Sequence, residues 1–481
     1  MTNPPTGGLT WRIRTFFAVG QVPEGIQSTS FGFFLLFFYN QVLGLSGFLA
    51  SLAIVVALVV DAISDPVIGS WSDGFRHRWG RRHPFMYVGA LPFAVCFYFL
   101  FAPPAQLSEL QTFGWLVVFS ILTRTTLSVY SIPHTSLTAE LSNDYQERTL
   151  LSSLRQIFTN VGSLMVFLIG FQIFFDATPE YPNGQLNPAA YPRFAALFAG
   201  VIFVGVVLTA VGTHSHIPFL PQAEAKHTRF SLQRLLREAG QAFSFRSFKA
   251  VVATAVLFGM TMGMVAALSI YLGTLYFQFS LELIGLSFPA SVIGSFLGAA
   301  LATPLGKVFQ EKKTLLMAGV LWYGFWNTLP IILSLLGLFP KPGNPALFYL
   351  VMTANAISAM GISVLMVMIG SMIADITDQH EAEHGSRNEG IYFAASSFAT
   401  KAISGFGVVL SGAVVDLAGI QRSATVETID PESLTTLAMA MGPGVLFLAC
   451  CTAFAGSFYD LSKAEHSRIS ALISDAPSGA S

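Results

Sequence analysis

Long apolar segments alternate with short polar ones along almost the whole chain. Each apolar segment is long enough to cross a hydrocarbon core of about 30 Å as a helix. The pattern predicts twelve such helices, six before and six after the longest polar stretch, residues 214–246. They lie near 15–40, 47–72, 84–103, 112–137, 150–175, 191–212, 248–277, 283–306, 314–337, 346–373, 390–417 and 436–460.

Composition supports a membrane protein and excludes several other classes. Hydrophobic residues make up 53% of the 481 residues and charged residues only 11%, whereas soluble domains carry about 25% charged residues. We therefore expect an all-α polytopic protein whose main partner is the lipid bilayer. The net charge is −1 and no basic domain is present, so no nucleic-acid partner is expected. All three cysteines fall in apolar segments, which argues against a disulfide framework or a zinc site.

The polar stretch divides the chain into two halves of six helices. We predict an N-terminal bundle at 1–212, a linker at 213–247 that contains an amphipathic surface helix at 231–243, a C-terminal bundle at 248–460 and a tail at 461–481. The halves also repeat, because the similar sequences 136–142 and 371–377 close the fourth and tenth segments. Two parallel repeats of six helices are the plan of the major facilitator fold, with substrate bound near the bilayer midplane.

The distribution of basic residues predicts the orientation. With the N-terminus inside, cytoplasmic segments hold 19 of the 25 Lys and Arg residues, as the positive-inside rule requires. We therefore expect a multi-pass protein of the cell membrane, the inner one in a bacterium, with both termini cytoplasmic. No signal peptide is evident at the N-terminus.

Two carboxylates near the end of the second segment are the most informative residues of the chain. Asp61 and Asp65 are spaced by four, so they share one helix face with Ser64 beside them. Charges in a bilayer are costly unless a cation, a proton or a basic partner offsets them. The alternative is a pair at a helix end that faces water or the basic loop behind it.

Several motifs together resemble the glycoside–pentoside–hexuronide:cation symporters, of which melibiose permease is a member. The motifs are Asp61-x-x-x-Asp65-Pro66, Gly80-Arg-Arg-x-Pro84, Asp144-Tyr-x-x-Arg148, Ala374-Asp375-x-x-Asp378-x-x-Glu381 and Arg387-x-Glu389-Gly390, together with Lys401. The resemblance runs from the first to the twelfth segment and implies alternating-access symport.

The resemblance implies a cation site at Asp61, Ser64, Asp65 and Ser128, with Lys401 approaching from the other bundle. The sugar site transfers less well. The permease's sugar-holding aspartates fall on Gly25 and Ser131, and its tryptophan on Thr135, while an arginine is retained as Arg155. The coupling machinery thus resembles the family while the substrate pocket differs, which makes melibiose itself an unlikely substrate.

Polar side chains also form two stripes at helical spacing. Arg124, Ser128, Ser131 and Thr135 share one face of the fourth segment, and Gln21 and Glu24 share a face of the first. We expect both stripes to line the aqueous cavity, the alternative being satisfaction by neighbouring helices. Arg124 needs an anion. It can pair with Glu24 or Asp61, or bind an anionic substrate, and Glu24 can take over hydroxyl recognition.

Charged clusters on the cytoplasmic side are expected to act as a gate. Ion pairs among them would hold the bundles together when the cavity opens outward and separate when it opens inward. The predicted gate residues are Asp73, Arg76, Arg81, Arg82, Glu140, Arg148, Asp375, Arg387 and Glu389.

These observations predict a symporter that couples entry of H⁺ or Na⁺ to uptake of a small polar solute, a sugar, glycoside or uronide. H⁺ is favoured, because Ser64 replaces the family's amide ligand and burial raises a carboxylate's affinity for protons. The alternatives are a carrier of an amphiphile such as a lysolipid and an uncoupled uniporter. No nucleophile–base pair, zinc helix or phosphate loop indicates an enzyme. We expect a monomer without a cofactor and without a metal beyond Na⁺.

Overall fold

Helices dominate the computed structural model of the chain. The structure describes residues 9–142, 144–220, 240, 243–309, 311–384 and 389–475, with the side chains at 383–384, 389–391, 393–395, 397–404 and 470–475 and at three single positions left aside. The predicted amphipathic helix at 231–243 falls almost entirely outside this part of the chain.

Six helices precede the linker. They are α1 at 11–42, α2 at Gly47–Gly74, α3 at His83–Phe101, α4 at Glu109–Glu140, α5 at 145–174 and α6 at Ala190–His214. Six more follow, and a short helix ends the described chain. They are α7 at 246–276, α8 at 281–308, α9 at Lys312–Leu335, α10 at Pro345–His384, α11 at Glu389–Leu417, α12 at 431–457 and α13 at Lys463–Asp475.

Ten of these helices are long and apolar enough to cross a membrane by length and composition. The other two of the twelve helices are α1, which is divided into short segments, and α11, whose described part includes the apolar helix Gly405–Leu417. The sequence-based prediction of an all-α membrane fold with twelve crossings is confirmed. We call the side on which α1 begins and α12 ends the terminal face, and the other side the opposite face.

The end of α10 differs from the prediction. Hydropathy placed the end of the tenth segment at residue 373, but α10 continues to His384. The extra turns carry Asp375, whose carboxylate accepts hydrogen bonds from the Lys312 ammonium at 2.6 and 2.8 Å. Charged residues beyond the membrane stay helical here because neighbouring elements pair with them.

The first helix is interrupted about a third of the way along its length. A turn at Gly20–Gln21 separates Trp11–Val19 from Val22–Thr29, and wide π-helical turns follow at Ser30–Phe34 and Phe38–Val42. A side chain at Gly20 would collide with Tyr130 and His134 of α4. The break therefore depends on a close approach of α1 to α4, and it turns main-chain carbonyls toward α4.

The two bundles share a core on one side only. One cluster of buried apolar residues joins the N-terminal bundle to the opposite-face halves of α7, α9, α10, α11 and α12. A separate cluster fills the terminal-face half of the C-terminal bundle. The bundles are thus packed together at the opposite face and have distinct cores at the terminal face.

Candidate functional site

Asp61 lies in the middle of α2 and is held by α4. Its side chain is buried, with 4% of the residue exposed. The Arg124 guanidinium donates to Oδ2 at 3.0 Å, and the Ser128 hydroxyl donates to Oδ1 at 3.0 Å. Arg124 and Ser128 are four residues apart, so one face of α4 supplies a partner to each carboxylate oxygen. This pairing offsets the cost of burying the charge.

The other predicted cation ligands are arranged around this pair. Ser64 donates its hydroxyl to the main-chain carbonyl of Asp61 at 3.2 Å, so it serves the helix backbone. Asp65 lies one turn further along α2 and is half-buried. The main chain of Lys401 lies in α11, and its side chain is outside the described part of the structure.

The backbone register of α11 is informative all the same. Gly405 packs against Val55 and Leu58 of α2. The two helices run antiparallel, so one turn from Gly405 toward the terminal face reaches Lys401 and one turn from Leu58 reaches Asp61. Lys401 and Asp61 therefore belong to the same level of the bundle interface.

A hydrogen-bond network on the terminal side of this site fixes the break in α1. His134 is completely buried and its Nε2 donates to the Phe17 carbonyl at 2.8 Å. Its Nδ1 then accepts from the Gln21 amide at 3.1 Å, which defines the neutral tautomer. The side-chain amide oxygen of Gln21 accepts a hydrogen bond from the Thr159 hydroxyl of α5 at 3.3 Å. Gln21, predicted as a substrate residue, is thus buried and joined to both α4 and α5.

Gly25 occupies a helix-packing position. A Cβ atom there would collide with the main-chain carbonyl of Thr159 in α5. Gly162 of α5 is equally close to the carbonyl of Val22 in α1. The absence of two side chains brings α1 and α5 into backbone contact, so the position that carries a sugar-binding aspartate in the permease has no room for one here.

Arg155 and Thr135 are brought together, as the predicted substrate site requires. Nη2 of Arg155 donates to the exposed Thr135 hydroxyl at 2.9 Å. Glu24 is half-buried and interacts electrostatically with Arg155, while Ser131 is half-buried one turn before Thr135 on α4. Charged and hydroxyl groups from α1, α4 and α5 therefore converge at one level. Such a set can orient a polar solute.

Among the described residues, each ion pair on the terminal face joins two residues of the same bundle. Arg82 contacts Asp73 at 2.5 Å and Glu140 at 2.8 Å, and Arg81 contacts Glu140 at 2.9 Å, all in the N-terminal bundle. Arg148 donates to the Ser142 and Ala139 carbonyls, which caps the end of α4.

The C-terminal bundle has its own charged cluster on this face. His466 of α13 lies 3.3 Å from Asp375 and 3.2 Å from Asp378. Burial, and to a smaller extent Asp375, raises the pKa of Tyr459 above its usual range. Arg76 is exposed, and Arg387 and the side chain of Glu389 lie outside the described residues. Whether the predicted gate residues pair across the bundles in another conformation stays a prediction.

Contacts between the bundles occur at the opposite face, and the sequence reasoning missed them. Asp416 of α11 accepts hydrogen bonds at 2.8 Å from the Ser46 hydroxyl and from the main-chain N–H groups of Gly47 and Phe48, at the start of α2. We call this contact the Asp416 latch. A carboxylate is favourable at a helix N-terminus, but the partner helix is 370 residues away in sequence.

Two further hydrogen bonds close the same face. Tyr271 of α7 donates to the Asn40 side chain at 3.0 Å. The N–H of Ala424 donates to the Gln41 side chain at 3.0 Å. With the shared core, these contacts describe a conformation that is closed at the opposite face.

This fold of two six-helix bundles, with a buried ion pair within the first of them, defines a membrane transporter of the major facilitator type. The family model described as "MFS/sugar transport protein" matches residues 16–463. The chain belongs to that family. Its members are transporters, so the chain is not an enzyme.

Individual relatives are similar over most of their length. The isoprimeverose transporter of Lactiplantibacillus pentosus is 25% identical over 85% of this chain and 81% of its own. The sodium-dependent lysophosphatidylcholine symporter 1 of Gallus gallus is 25% identical over 90% and 84%. Among solved structures, an inward-open xylose transporter of E. coli superposes with a TM-score of 0.63 at 13% identity, covering 96% of this chain and 99% of that one.

Proposed function

We propose that the protein couples the entry of a cation to the uptake of a small polar solute, a sugar, glycoside or uronide. The observation that carries the proposal is Asp61, a buried carboxylate in the middle of a membrane helix whose oxygens are held by α4. Such a group is costly in a bilayer and is retained where it binds or exchanges a cation.

Asp61, Asp65, Ser64, Ser128 and Lys401 form the proposed cation site. The shared level of Lys401 and Asp61 on α11 and α2 supports the inclusion of Lys401. Counted without Arg124, these residues carry a net negative charge, and binding of one cation balances it. Binding therefore lowers the cost of moving the bundles past each other, provided that the ion has different affinities for the two conformations.

We propose H⁺ as the coupling ion. Na⁺ requires several oxygen ligands, and Ser64 already directs its hydroxyl to the main chain of Asp61. A proton needs only one carboxylate, and Asp61 is a buried carboxylate with a second one, Asp65, one turn further along α2. The relative named as a sodium-dependent symporter makes Na⁺ the alternative to be tested.

The solute site is proposed at the level where α1, α4 and α5 converge. Arg124, Arg155, Thr135, Ser131, Glu24 and Gln21 are the proposed polar groups, with Gly25 serving the packing of α1 on α5. The relative named an isoprimeverose transporter supports a sugar-containing solute. An amphiphile such as lysophosphatidylcholine is the second candidate, because another relative of similar identity is named for it.

The proposed orientation places the terminal face in the cytoplasm of the cell membrane. Most Lys and Arg residues lie on that face, in agreement with the positive-inside rule. The structure then corresponds to a carrier closed to the outside. The two bundles are proposed to work as one monomeric unit, with 1–212 and 248–460 as the moving bodies, 213–247 as the linker and 461–481 as the tail.

The test is uptake by proteoliposomes of labelled glycosides, uronides and lysophosphatidylcholine, with H⁺ and Na⁺ gradients imposed separately. We expect an inward H⁺ gradient to concentrate a glycoside or uronide in wild-type vesicles. Asp61→Asn should abolish this accumulation and leave solute exchange, because it removes the charge with almost no change in volume. Full accumulation by Asp61→Asn would refute the cation site, and equilibration without accumulation in the wild type would indicate a uniporter.

A further inference from the structure

Arg124 is placed where a coupling ion would be expected to bind. Its Nη1 lies 3.0 Å from Oδ2 of Asp61, the carboxylate proposed to hold the ion. The side chains of the two residues are 17% and 5% exposed. Ser128, one turn away on the same helix, contacts the other carboxylate oxygen. The guanidinium and a hydroxyl, both from α4, thus each donate a hydrogen bond to one oxygen of the Asp61 carboxylate.

The contacts of Arg124 differ from those of a fully satisfied structural ion pair. The guanidinium carbon lies 5.0 Å from the ring centre of Phe31 in α1, a favourable cation–π distance. Its buried Nε–H has no hydrogen-bond partner among the described residues. A buried arginine with a permanent role is expected to satisfy its donors. The donors of Arg124 are therefore only partly satisfied in this conformation, as are those of Arg81 and Arg155.

We propose that Arg124 is a tethered counter-ion that replaces the coupling ion on Asp61 when that ion leaves. The proposal rests on the proposed symport function and adds a residue to its mechanism. Asp61 can be neutralised by the guanidinium or by an entering cation. Both cannot bind it at full strength, because the two positive charges repel each other in a medium of low dielectric.

The conformation is the appropriate one for such a replacement. The opposite face is closed by the Asp416 latch and the shared core, so an ion on Asp61 would leave toward the terminal face. With Arg124 in place, departure of the ion does not leave the buried carboxylate of Asp61 without a positively charged partner. The guanidinium keeps its contact with Phe31 throughout, so it needs to move only a short distance when an ion returns.

The consequence is that Arg124 weakens ion binding and promotes ion release. An opposite charge at this distance changes a carboxylate's affinity for a proton by about 10- to 1,000-fold. Arg124→Gln should therefore strengthen binding of the coupling ion by a factor in this range. Arg124→Lys keeps the charge and should stay much closer to the wild type.

Infrared difference spectroscopy of the full-length protein in lipid nanodiscs measures this directly and requires no substrate. The carboxylic-acid C=O band that disappears in Asp61→Asn reports protonation of Asp61, and its amplitude is followed against pH. In a second series, NaCl replaces KCl at constant pH and ionic strength. We expect Arg124→Gln to move the pH midpoint upward by about 1 to 3 units, or the half-saturating Na⁺ concentration down by the same factor. Arg155→Gln is the matched control, since Arg155 is an embedded arginine that contacts Thr135.

The outcomes separate the two ideas. An unchanged midpoint in Arg124→Gln, or weaker ion binding, overturns the counter-ion role even if the wild type accumulates solute against a gradient. A shifted midpoint supports it even if uptake assays contradict symport. If Arg124→Gln does not fold, the double variant Asp61→Asn/Arg124→Gln restores a neutral pair. Recovery of thermal stability in the double variant, together with a midpoint shift in Arg124→Met, supports the proposal, and no shift in Arg124→Met overturns it.

Discussion

The Asp416 latch makes a specific prediction about conformational equilibrium. Asp416→Ala removes three hydrogen bonds that join α11 to the N-terminus of α2 and so connect the two bundles. In a conformation open at the opposite face, α2 and α11 separate there and water solvates the same groups. The substitution should therefore destabilise the closed state more than the open one.

The magnitude follows from the nature of the contact. Asp416 acts as a helix cap supplied from another helix, and loss of a cap costs about 0.5–2 kcal/mol. Interaction with the helix dipole adds about 0.3–1 kcal/mol at an exposed site, and Asp416 is exposed. A total of about 1–3 kcal/mol corresponds to a shift of about 5- to 150-fold in the ratio of closed to open molecules.

Distances between spin labels measure that ratio. One label pair, at Ala105 and Lys341, lies on exposed loops of the opposite face, one in each bundle. A second pair, at Arg78 and Ala464, reports on the terminal face. Cys96, Cys450 and Cys451 are first replaced so that only the introduced cysteines react. In Asp416→Ala the first distance should lengthen and the second should shorten in a larger fraction of molecules.

The matched control is Asp430→Ala. Asp430 is also an exposed carboxylate on the opposite face, but it caps α12 of its own bundle through the N–H of Glu432 at 3.2 Å. Its removal should lower stability without changing the distances. Identical distance distributions in Asp416→Ala and the wild type, or equal shifts in both variants, would refute the latch.

Three further predictions concern the site. Lys401→Ala should change the ion dependence of uptake, because it leaves the acidic pair of α2 with less positive charge; an unchanged dependence would mean a purely structural lysine. Ser128→Ala should strengthen proton binding, because the hydroxyl donates to the charged carboxylate of Asp61 and a hydrogen bond to a charged group is worth about 1.5–3 kcal/mol; a proton titration without change would mean that the contact is incidental. Gly25→Val should destabilise the protein by at least about 1–3 kcal/mol, because the side chain collides with the backbone of α5; unaltered thermal unfolding would contradict this packing.

The membrane fold could be predicted from the sequence because hydropathy is a local property. About twenty consecutive apolar residues are enough to identify each crossing. Most of the predicted helix ends lie within a few residues of the helix ends in the structure. The exception, the end of α10, shows the limit of that rule. Hydropathy detects where a segment leaves the hydrocarbon, and Asp375 continues the helix because Lys312 of α9 pairs with it.

The sequence predicted which residues belong to the candidate site better than it predicted which of them contact each other. The buried carboxylate Asp61 and the polar stripe of α4 follow from spacing alone, since residues three and four apart share a helix face. That Arg124 pairs with Asp61 was one of the alternatives that the sequence left open. The choice depends on how α2 and α4 are placed side by side.

What the sequence by itself determined is therefore the set of helices, the identity of the embedded charges and the family to which they belong. Tertiary structure alone decided which charges meet, that Gly25 serves helix packing, and that Asp416 closes the opposite face on α2. The physical reason is the separation along the chain over which each interaction acts. Hydropathy and helical periodicity act over neighbouring residues, whereas an ion pair or a helix cap needs partners brought within about 3 Å, whatever their separation along the chain.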